Sequence, residues 1–195
     1  MATVYRYREI CKYLTTDACS IQNICASKTF LRKSISAGFE YSIPEYAFYE
    51  AVSKPLKRCN PLIEQQRTVV KEQVEAGCVR LAKLTLDDLQ EMSVLREEKP
   101  SLGNGELACI VYSKNKLLAV LTDDKTARNY TKRLFGEKKA YETAEIVANM
   151  VFTHSITDDE CMNIISEEVE SRSNMDKPYF EAYQQALRGA LFECR

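Results

Sequence analysis

Short apolar runs alternate along the chain with longer segments in which apolar residues recur every three to four positions. This alternation is typical of an α/β domain with a parallel sheet. We therefore predict a three-layer α/β/α sandwich with a central parallel sheet of four to five strands. The predicted strands cover 12–17, 39–44, 78–84, 118–123 and 140–143.

Between these strands the sequence predicts helices over 20–36, 45–57, 61–76, 86–97, 105–115, 124–135 and 143–153. Two helix starts have their own signals: Thr85 caps one helix, and Thr157 with Glu160 forms a capping box for a helix over 158–171. The last segment, 178–193, opens with Pro and has aromatic and aliphatic residues at helical spacing. It predicts an amphipathic helix that packs either on the core or on a partner.

The length of the chain favours a single domain. It has 195 residues, of which 45% are hydrophobic and 28% are charged, which is enough for one core and too little for two large ones. We expect one domain over 1–195, with a charged helical insert around 51–100 and the amphipathic helix around 178–193. No run approaches the roughly 20 apolar residues that span a bilayer, and the first residues lack a signal-peptide pattern. A cytoplasmic location without membrane contact is therefore expected.

Charge and cysteine content exclude several classes of function. The formal net charge is −1, so any polyanion must be held by local positive charge. None of the eight cysteines forms a Cys-x-x-Cys pair, and the single histidine is His154. Reduced thiols therefore explain the cysteines better than disulfides or a zinc site. A catalytic triad would have to use His154, for which a structural or exposed position at a helix end is expected.

Carboxylates recur where predicted strands end or helices begin. Asp17 ends the first strand, and Glu50 lies one to two turns into the helix after the second. Glu106 opens a helix after a Gly-rich turn, and Asp123 with Asp124 ends the fourth strand. Each of these could be a helix cap or a solvated charge. In a parallel sheet they could instead converge on one edge, where only a hard cation such as Mg²⁺ or Mn²⁺ would relieve their repulsion.

The segments that carry these acids resemble the PIN-domain family, a fold of small metal-dependent nucleases. They read TTDACSIQNI, SIPEYAFYEAV, LGNGELACIVYSKNKLLAVLTDDKTARNY and ETAEIVANMVFTHSITDDE. The similarity covers about 12–165 and is most specific over 103–128. There, Gly-x-Gly-Glu, a short helix, an apolar strand and Asp-Asp-Lys-x-x-Arg follow in order. This is the pattern of the family branch that has both motifs.

The resemblance implies roles for the five acids. Asp17, Glu106 and Asp124 would contact one or two Mg²⁺ or Mn²⁺ ions directly or through water. Glu50 and Asp123 would lie in the same shell or orient it. The reaction implied is in-line hydrolysis of a phosphodiester by a metal-activated water, without a protein nucleophile.

Basic residues after the acidic pair are the predicted substrate contacts. The basic residues of this helix are Lys125, Arg128, Lys132 and Arg133. Residues 125, 128 and 132 are spaced by three and four, so they can share one face, either beside the metal or simply in solvent. Ser20 is a further predicted substrate contact. It comes one place after Cys19, which departs from the hydroxyl or amide residue common at that position in the family. Single-stranded RNA fits this small basic surface better than duplex DNA.

Three interpretations follow. The first is a metal-dependent endoribonuclease acting on single-stranded or structured RNA, the toxin of a toxin–antitoxin pair, with an antitoxin protein and a second copy of the chain as expected partners. The second is a PIN-like binding or scaffold module without catalysis, which the Cys19 departure favours. The third is a receiver-like phosphoryl-transfer domain. That class needs an acidic pair after the first strand, whereas the pair here lies late in the chain.

Overall fold

Five parallel strands form one sheet in the computed structural model, which describes residues 7, 9–55, 61–171 and 176–193. The strands are β1 (Tyr13–Thr16), β2 (Glu40–Pro44), β3 (Val79–Ala82), β4 (Ala119–Leu121) and β5 (Ala140–Tyr141). Their order is β3-β2-β1-β4-β5, and every neighbouring pair is parallel. The predicted fold class and parallel sheet are confirmed, and each predicted strand extends slightly beyond the observed one.

Ten helices of the described ranges flank the sheet and complete a three-layer α/β/α sandwich. They are α1 (Ala18–Ala26), α2 (Lys28–Ser36), α3 (Glu45–Val52), α4 (Pro61–Glu75), α5 (Leu86–Glu98), α6 (Asn104–Lys116), α7 (Lys125–Phe135), α8 (Thr143–Phe152), α9 (Asp158–Ser171) and α10 (Asp176–Glu193). A 3-10 turn covers Glu137–Lys139. Helix α6 packs on β1, β2 and β4, while α1, α2, α8, α9 and α10 pack on one another.

The strand order reverses between β1, the central strand of the sheet, and its neighbour β4. Strand β1 leads towards β2 and β3 on one side, and β4 leads to β5 on the other. Their register pairs Thr16 with Leu121, so the two strands end side by side. In open parallel sheets such a reversal opens a crevice at the carboxyl edge, and binding sites form there. All three residues of β4 are buried, as expected for a strand covered by helices on both faces.

The prediction of one helix over 20–36 is wrong, because the chain breaks at Ser27. This residue is extended, with φ −105° and ψ 113°, and it is fully buried. Its hydroxyl accepts the Phe30 N–H at 2.9 Å and donates to Glu167 Oε2 at 2.5 Å. Ser27 thus caps α2 while it is bonded to a residue of α9.

The charged segment 51–100 is built into the sandwich. It supplies the edge strand β3, which pairs with β2. Helix α5 packs on α6, and α4 packs on α1. Helix α3 ends at Val52, so the helix predicted over 45–57 is wrong for 53–55, which are not helical, and 56–57 lie outside the described residues.

The C-terminal helix α10 packs on α8. Tyr179 and Ala186 are fully buried. Of the two alternatives that the sequence allowed, packing on the core or on a partner, the structure shows packing on the core. The predicted capping box of α9 is confirmed, since the Thr157 N–H donates to Glu160 Oε2 at 3.1 Å and the Glu160 N–H to Thr157 Oγ1 at 3.2 Å.

Three further sequence features have a place in the structure. His154 is exposed just after α8, with φ 54°. The cysteines of the described ranges form no disulfide with one another, and Cys25, Cys109 and Cys161 are buried. Within the same ranges, no helix is both long and apolar enough to cross a bilayer.

Ser27→Ala tests the break between α1 and α2. It removes a helix cap and one hydrogen bond to α9, so we expect a loss of about 1–2 kcal/mol in the free energy of unfolding, measured with urea. Ser36→Ala on the same helix is the control, since the Ser36 hydroxyl is exposed and donates only to the Arg32 carbonyl. Equal stability of the two variants would contradict the capping role.

Candidate active site

Asp17 lies at the crevice between β1 and β4. It follows β1, caps α1 and is only 5% exposed. Its Oδ1 accepts the Ser20 N–H at 2.8 Å, and its Oδ2 accepts the Thr122 hydroxyl at 2.5 Å. Since Thr122 directly follows β4, this carboxylate ties β1 to β4. Burial raises the pKa of Asp17 to about 6, and the charge of Asp123 adds to the rise, against the hydrogen bonds from Thr122 and Ser20.

Asp123 is held in one orientation from three sides. Its Oδ2 accepts the Asn23 amide at 2.6 Å, and its Oδ1 accepts the Thr143 N–H at 2.9 Å. The Thr143 hydroxyl donates to the same carboxylate and accepts from the buried Tyr179 hydroxyl at 2.8 Å. The Asp123 N–H donates to Ser20 Oγ at 2.9 Å. Helices α1, α8 and α10 therefore all contribute to the placement of this side chain.

Asp124 is the N-cap of α7. Its Oδ1 accepts the Ala127 N–H at 2.8 Å, and its own N–H donates to Thr122 Oγ1 at 3.2 Å. The side chain is exposed. Of the interpretations that the sequence left open, the helix cap is therefore observed for Asp124. The charge of the same carboxylate also raises the pKa of Glu106.

Glu106 is the third residue of α6 and caps its own helix. Its Oε2 accepts the Gly103 N–H at 2.6 Å. The pKa of Glu106 is raised, chiefly by burial and further by the charges of Asp124 and Glu50. The Gly103 hydrogen bond and the charge of Arg96 act in the opposite direction. The charges of an acid on α3 and of an acid at the start of α7 thus both act on Glu106.

A glycine lets Glu50 approach α6. A Cβ at Gly105 would lie 2.6 Å from Glu50 Oε2, the flexible end of that side chain, and 3.2 Å from the Ala47 Cα, so Glu50 and the α3 backbone would have to shift to admit it. The second glycine of the Gly-x-Gly-Glu motif therefore has a packing reason. Glu50 also pairs with Lys54, which lies just beyond the end of α3, at 3.4 Å.

The thiol of Cys109 marks where these acids meet. Cys109 is fully buried, one turn after Glu106 on α6. Burial raises its pKa well above the ordinary value, and the charges of Asp17, Glu106 and Glu50 raise it further. The charges of acids from three separate parts of the chain therefore act on one buried thiol. Together with Asp123 and Asp124, they form what we call the acidic crevice.

The carboxylates of the acidic crevice bond to the protein rather than forming a preassembled ligand set. Among the residues that the structure describes, no group of three or more His, Cys, Asp or Glu side chains is placed to hold a metal ion. The donors are nevertheless all carboxylate oxygens, the type that Mg²⁺ and Mn²⁺ select.

Two of the predicted substrate contacts are used inside the protein. Arg128, only 15% exposed, donates to the carbonyls of Thr122 and Asp123 at 3.1 and 3.3 Å and pairs with Glu142 at 2.8 Å. Lys132, 12% exposed, pairs with Glu137 at 3.5 Å. Arg128 therefore fixes the loop that carries the acidic pair.

Ser20 and Lys125 differ sharply in their surroundings. Ser20 is fully buried between Asp17 and Asp123, so the structure shows it ordering the acids, one place after the exposed Cys19. Lys125 is exposed at the first position of α7 and forms no ion pair within the described ranges.

Sequence reasoning missed the neutral residues that hold the acids: Asn23, Thr122 and Thr143. Thr122 had a local signal, because a buried hydroxyl residue between an apolar strand and an acidic pair needs a hydrogen-bond partner. The other two had none, since their partner Asp123 lies 100 and 20 positions away along the chain.

Comparison of the chain with protein-family models, with curated proteins and with solved structures gave no match. The likeness to the PIN-domain family therefore rests on the sequence motifs alone and stays a hypothesis.

Asp17→Asn should stabilise the metal-free protein at neutral pH. The pKa of Asp17 rises from 3.8 to about 6 on folding, so the folded state holds the proton more tightly and wild-type stability falls as the pH rises through this window. In EDTA, urea unfolding should show the variant more stable above pH 6 by up to about 3 kcal/mol, with the difference closing towards pH 4.

Asp88→Asn is the matched control, because Asp88 is also buried in the first turn of a helix. Burial raises the pKa of Asp88, but hydrogen bonds from Thr85 and Asn115 outweigh it and the net shift is downward. This variant should lose stability at neutral pH, with the difference shrinking in acid. An Asp17→Asn protein less stable than wild type at pH 8 would contradict the assignment.

Tyr179→Phe should cost about 1 kcal/mol of unfolding free energy, because it removes the buried hydroxyl that donates to Thr143 while keeping the ring against Phe30. Tyr112→Phe on α6 is the control. The Tyr112 hydroxyl makes no hydrogen bond within the described ranges, so a change within about 0.5 kcal/mol is expected. Equal effects of the two variants would exclude a special role for the Tyr179 hydroxyl.

Proposed function

We propose that this chain is a metal-dependent endoribonuclease that hydrolyses phosphodiester bonds in RNA. One observation carries the proposal: Asp17 and Asp123 follow the adjacent strands β1 and β4 at the strand-order reversal, where burial, with a smaller contribution from neighbouring acids, raises the pKa of Asp17, Glu106 and Cys109. The acids are Asp17, Glu50, Glu106, Asp123 and Asp124.

Two acids of this cluster are unfavourable to folding in their ionised forms. Burial disfavours the charge of Asp17 and of Glu106, and the charges of neighbouring acids add to this effect. Clustered groups with shifted pKa values in a crevice are typical of functional sites. A bound divalent cation would offset this cost, because its positive charge would attract the carboxylates that otherwise repel one another.

The donor set fits such a cation in kind. All the candidate ligands are carboxylate oxygens, and the Asp17, Glu106 and Asp124 oxygens that accept one protein hydrogen bond keep another lone pair. Asp17, Glu106 and Asp124 are the residues that would hold the ion. When bound, the ion would supply an activated water and neutralise charge on the attacked phosphate.

The surrounding residues would keep the acids in place during turnover. Asn23 and Thr143 orient Asp123, and Arg128 fixes the backbone carbonyls on either side of it. Thr122 keeps Asp17 beside the end of β4. These are positioning roles, since none of these residues needs to touch the substrate.

The biological setting that the motifs suggest is the toxin of a toxin–antitoxin pair, acting in the cytoplasm, with an antitoxin protein and a second copy of this chain as partners. The alternative is a PIN-like binding or scaffold module without catalysis. One observation favours this alternative: both oxygens of Asp17 and of Asp123 already accept hydrogen bonds from the protein.

Cleavage of a fluorescently labelled single-stranded RNA with Mn²⁺ or Mg²⁺ tests the proposal. Asp17→Asn and Asp124→Asn should each lower the cleavage rate by about 100-fold or more, because they remove ligand charge while Asn still caps the helix. Asp87→Asn, an exposed first-turn acid of α5, is the control and should cleave like wild type. Cleavage that persists in EDTA or in both site variants would refute the proposal. Metal binding without turnover on any RNA would support the alternative.

A further inference from the structure

A surface cavity of about 450 Å³ lies between the end of α5 and helix α7. Its wall begins at Lys125, directly after Asp124 of the acidic crevice. It is lined by Lys99, Lys125, Thr126, Asn129, Tyr130 and Arg133. We call this surface the cationic groove.

The three cations of the groove, Lys99, Lys125 and Arg133, are not neutralised. None of them forms an ion pair within the described part of the chain, whereas Arg128 and Lys132 of the same helix do. The net charge of the protein is −1, so this positive potential is local and does not reflect an excess of basic residues.

Acidic neighbours of the groove are already engaged. Glu98, beside Lys99, accepts the Tyr130 hydroxyl at 3.1 Å. Asp124, beside Lys125, caps α7. The Arg133 guanidinium stacks over the Tyr130 ring with its central carbon 5.0 Å from the ring centroid. The Tyr130 ring, whose hydroxyl donates to Glu98, therefore holds the Arg133 guanidinium in place.

The polar groups of the groove select the ligand class. Ammonium and guanidinium groups only donate hydrogen bonds, and the Asn129 amide and Thr126 hydroxyl can donate beside them. Such a set matches phosphate oxygens. Tyr130 is only 3% exposed, so it offers little surface on which a base could stack. The groove therefore suits a phosphate backbone and is unsuited to reading base sequence.

We infer that the cationic groove binds the phosphate backbone of single-stranded RNA and leads the strand to the acidic crevice. The inference rests on the proposed function and specifies how its substrate is held. It transfers the substrate role of the basic helix from Arg128 and Lys132 to Arg133 and to Lys99, which comes from a different part of the chain. Lys125 joins the two surfaces, because it follows Asp124 directly.

The test measures binding of a fluorescein-labelled uridine 12-mer RNA by anisotropy in EDTA, where metal-dependent cleavage cannot occur. The groove variant is Lys99→Ala/Lys125→Ala/Arg133→Ala. The control variant, Lys71→Ala/Lys114→Ala/Lys138→Ala, removes the same charge from exposed lysines that are ion-paired elsewhere. Circular dichroism and thermal melting verify folding of both.

The groove variant should bind at least about 10-fold more weakly at low salt. Its slope of log K against log salt concentration should become shallower by about 2, since three phosphate contacts on a single strand are lost. The control variant should keep the wild-type slope. Should the triple variant not fold, Lys125→Glu replaces it, because an acidic residue is favourable at this first helical position. This variant should also weaken binding.

Equal weakening in the groove and control variants, or an unchanged slope in the groove variant, would overturn the inference. Polyglutamate of matched charge that competes as well as RNA would overturn the assignment to RNA. The experiments distinguish rejection of the groove inference from rejection of the proposed ribonuclease activity. Groove-dependent binding without metal-dependent cleavage rejects the reaction alone, and cleavage with a wild-type salt slope in the groove variant rejects the groove alone.

Discussion

The hydrogen bond between Thr122 and Asp17 is the interaction on which the site depends. Thr122 is 1% exposed and directly follows β4, and its hydroxyl donates to the carboxylate that follows β1. It also accepts the Asp124 N–H. One hydroxyl thus joins the two strands at the reversal of strand order and fixes where the acidic pair begins. Without it, a buried carboxylate would lose its closest donor.

The electrostatics of this protein show that burial alone does not decide the pKa of an aspartate. Asp17 and Asp88 are both 5% exposed and both belong to helix starts. Burial raises the pKa of both. At Asp17 burial outweighs the hydrogen bonds from Thr122 and Ser20, and the charge of Asp123 adds to the rise. At Asp88 the hydrogen bonds from Thr85 and Asn115, with the charge of Lys116, outweigh burial, so its pKa is lowered. A first-turn aspartate can therefore be arranged to stabilise this fold. The opposite arrangement at the crevice costs stability, and the proposed cation site would account for it.

Local sequence patterns predicted the layers of the fold and the sheet edge at which the acids lie. Helix breaks and side-chain orientations depend on partners far away in the sequence. The alternation of strand-like and helical periods is local, and parallel strands necessarily bring their carboxyl ends to one edge. The break at Ser27 is not visible in the sequence, because apolar periodicity continues through it and its partner Glu167 lies 140 positions away. Gly105 is an intermediate case. Its motif is visible, but the reason for it is the approach of Glu50 from another helix.

Helix α7 shows most clearly why residue spacing underdetermines function. Spacing by three and four places Arg128 and Lys132 on one side of the helix, but it does not say whether that side faces solvent or the protein. The structure turns them inward, where Arg128 fixes the carbonyls of the acidic loop. Lys125 and Arg133 remain at the surface. Because positioning and the proposed substrate binding use different side chains of one helix, loss of the exposed cations should leave the acidic crevice intact.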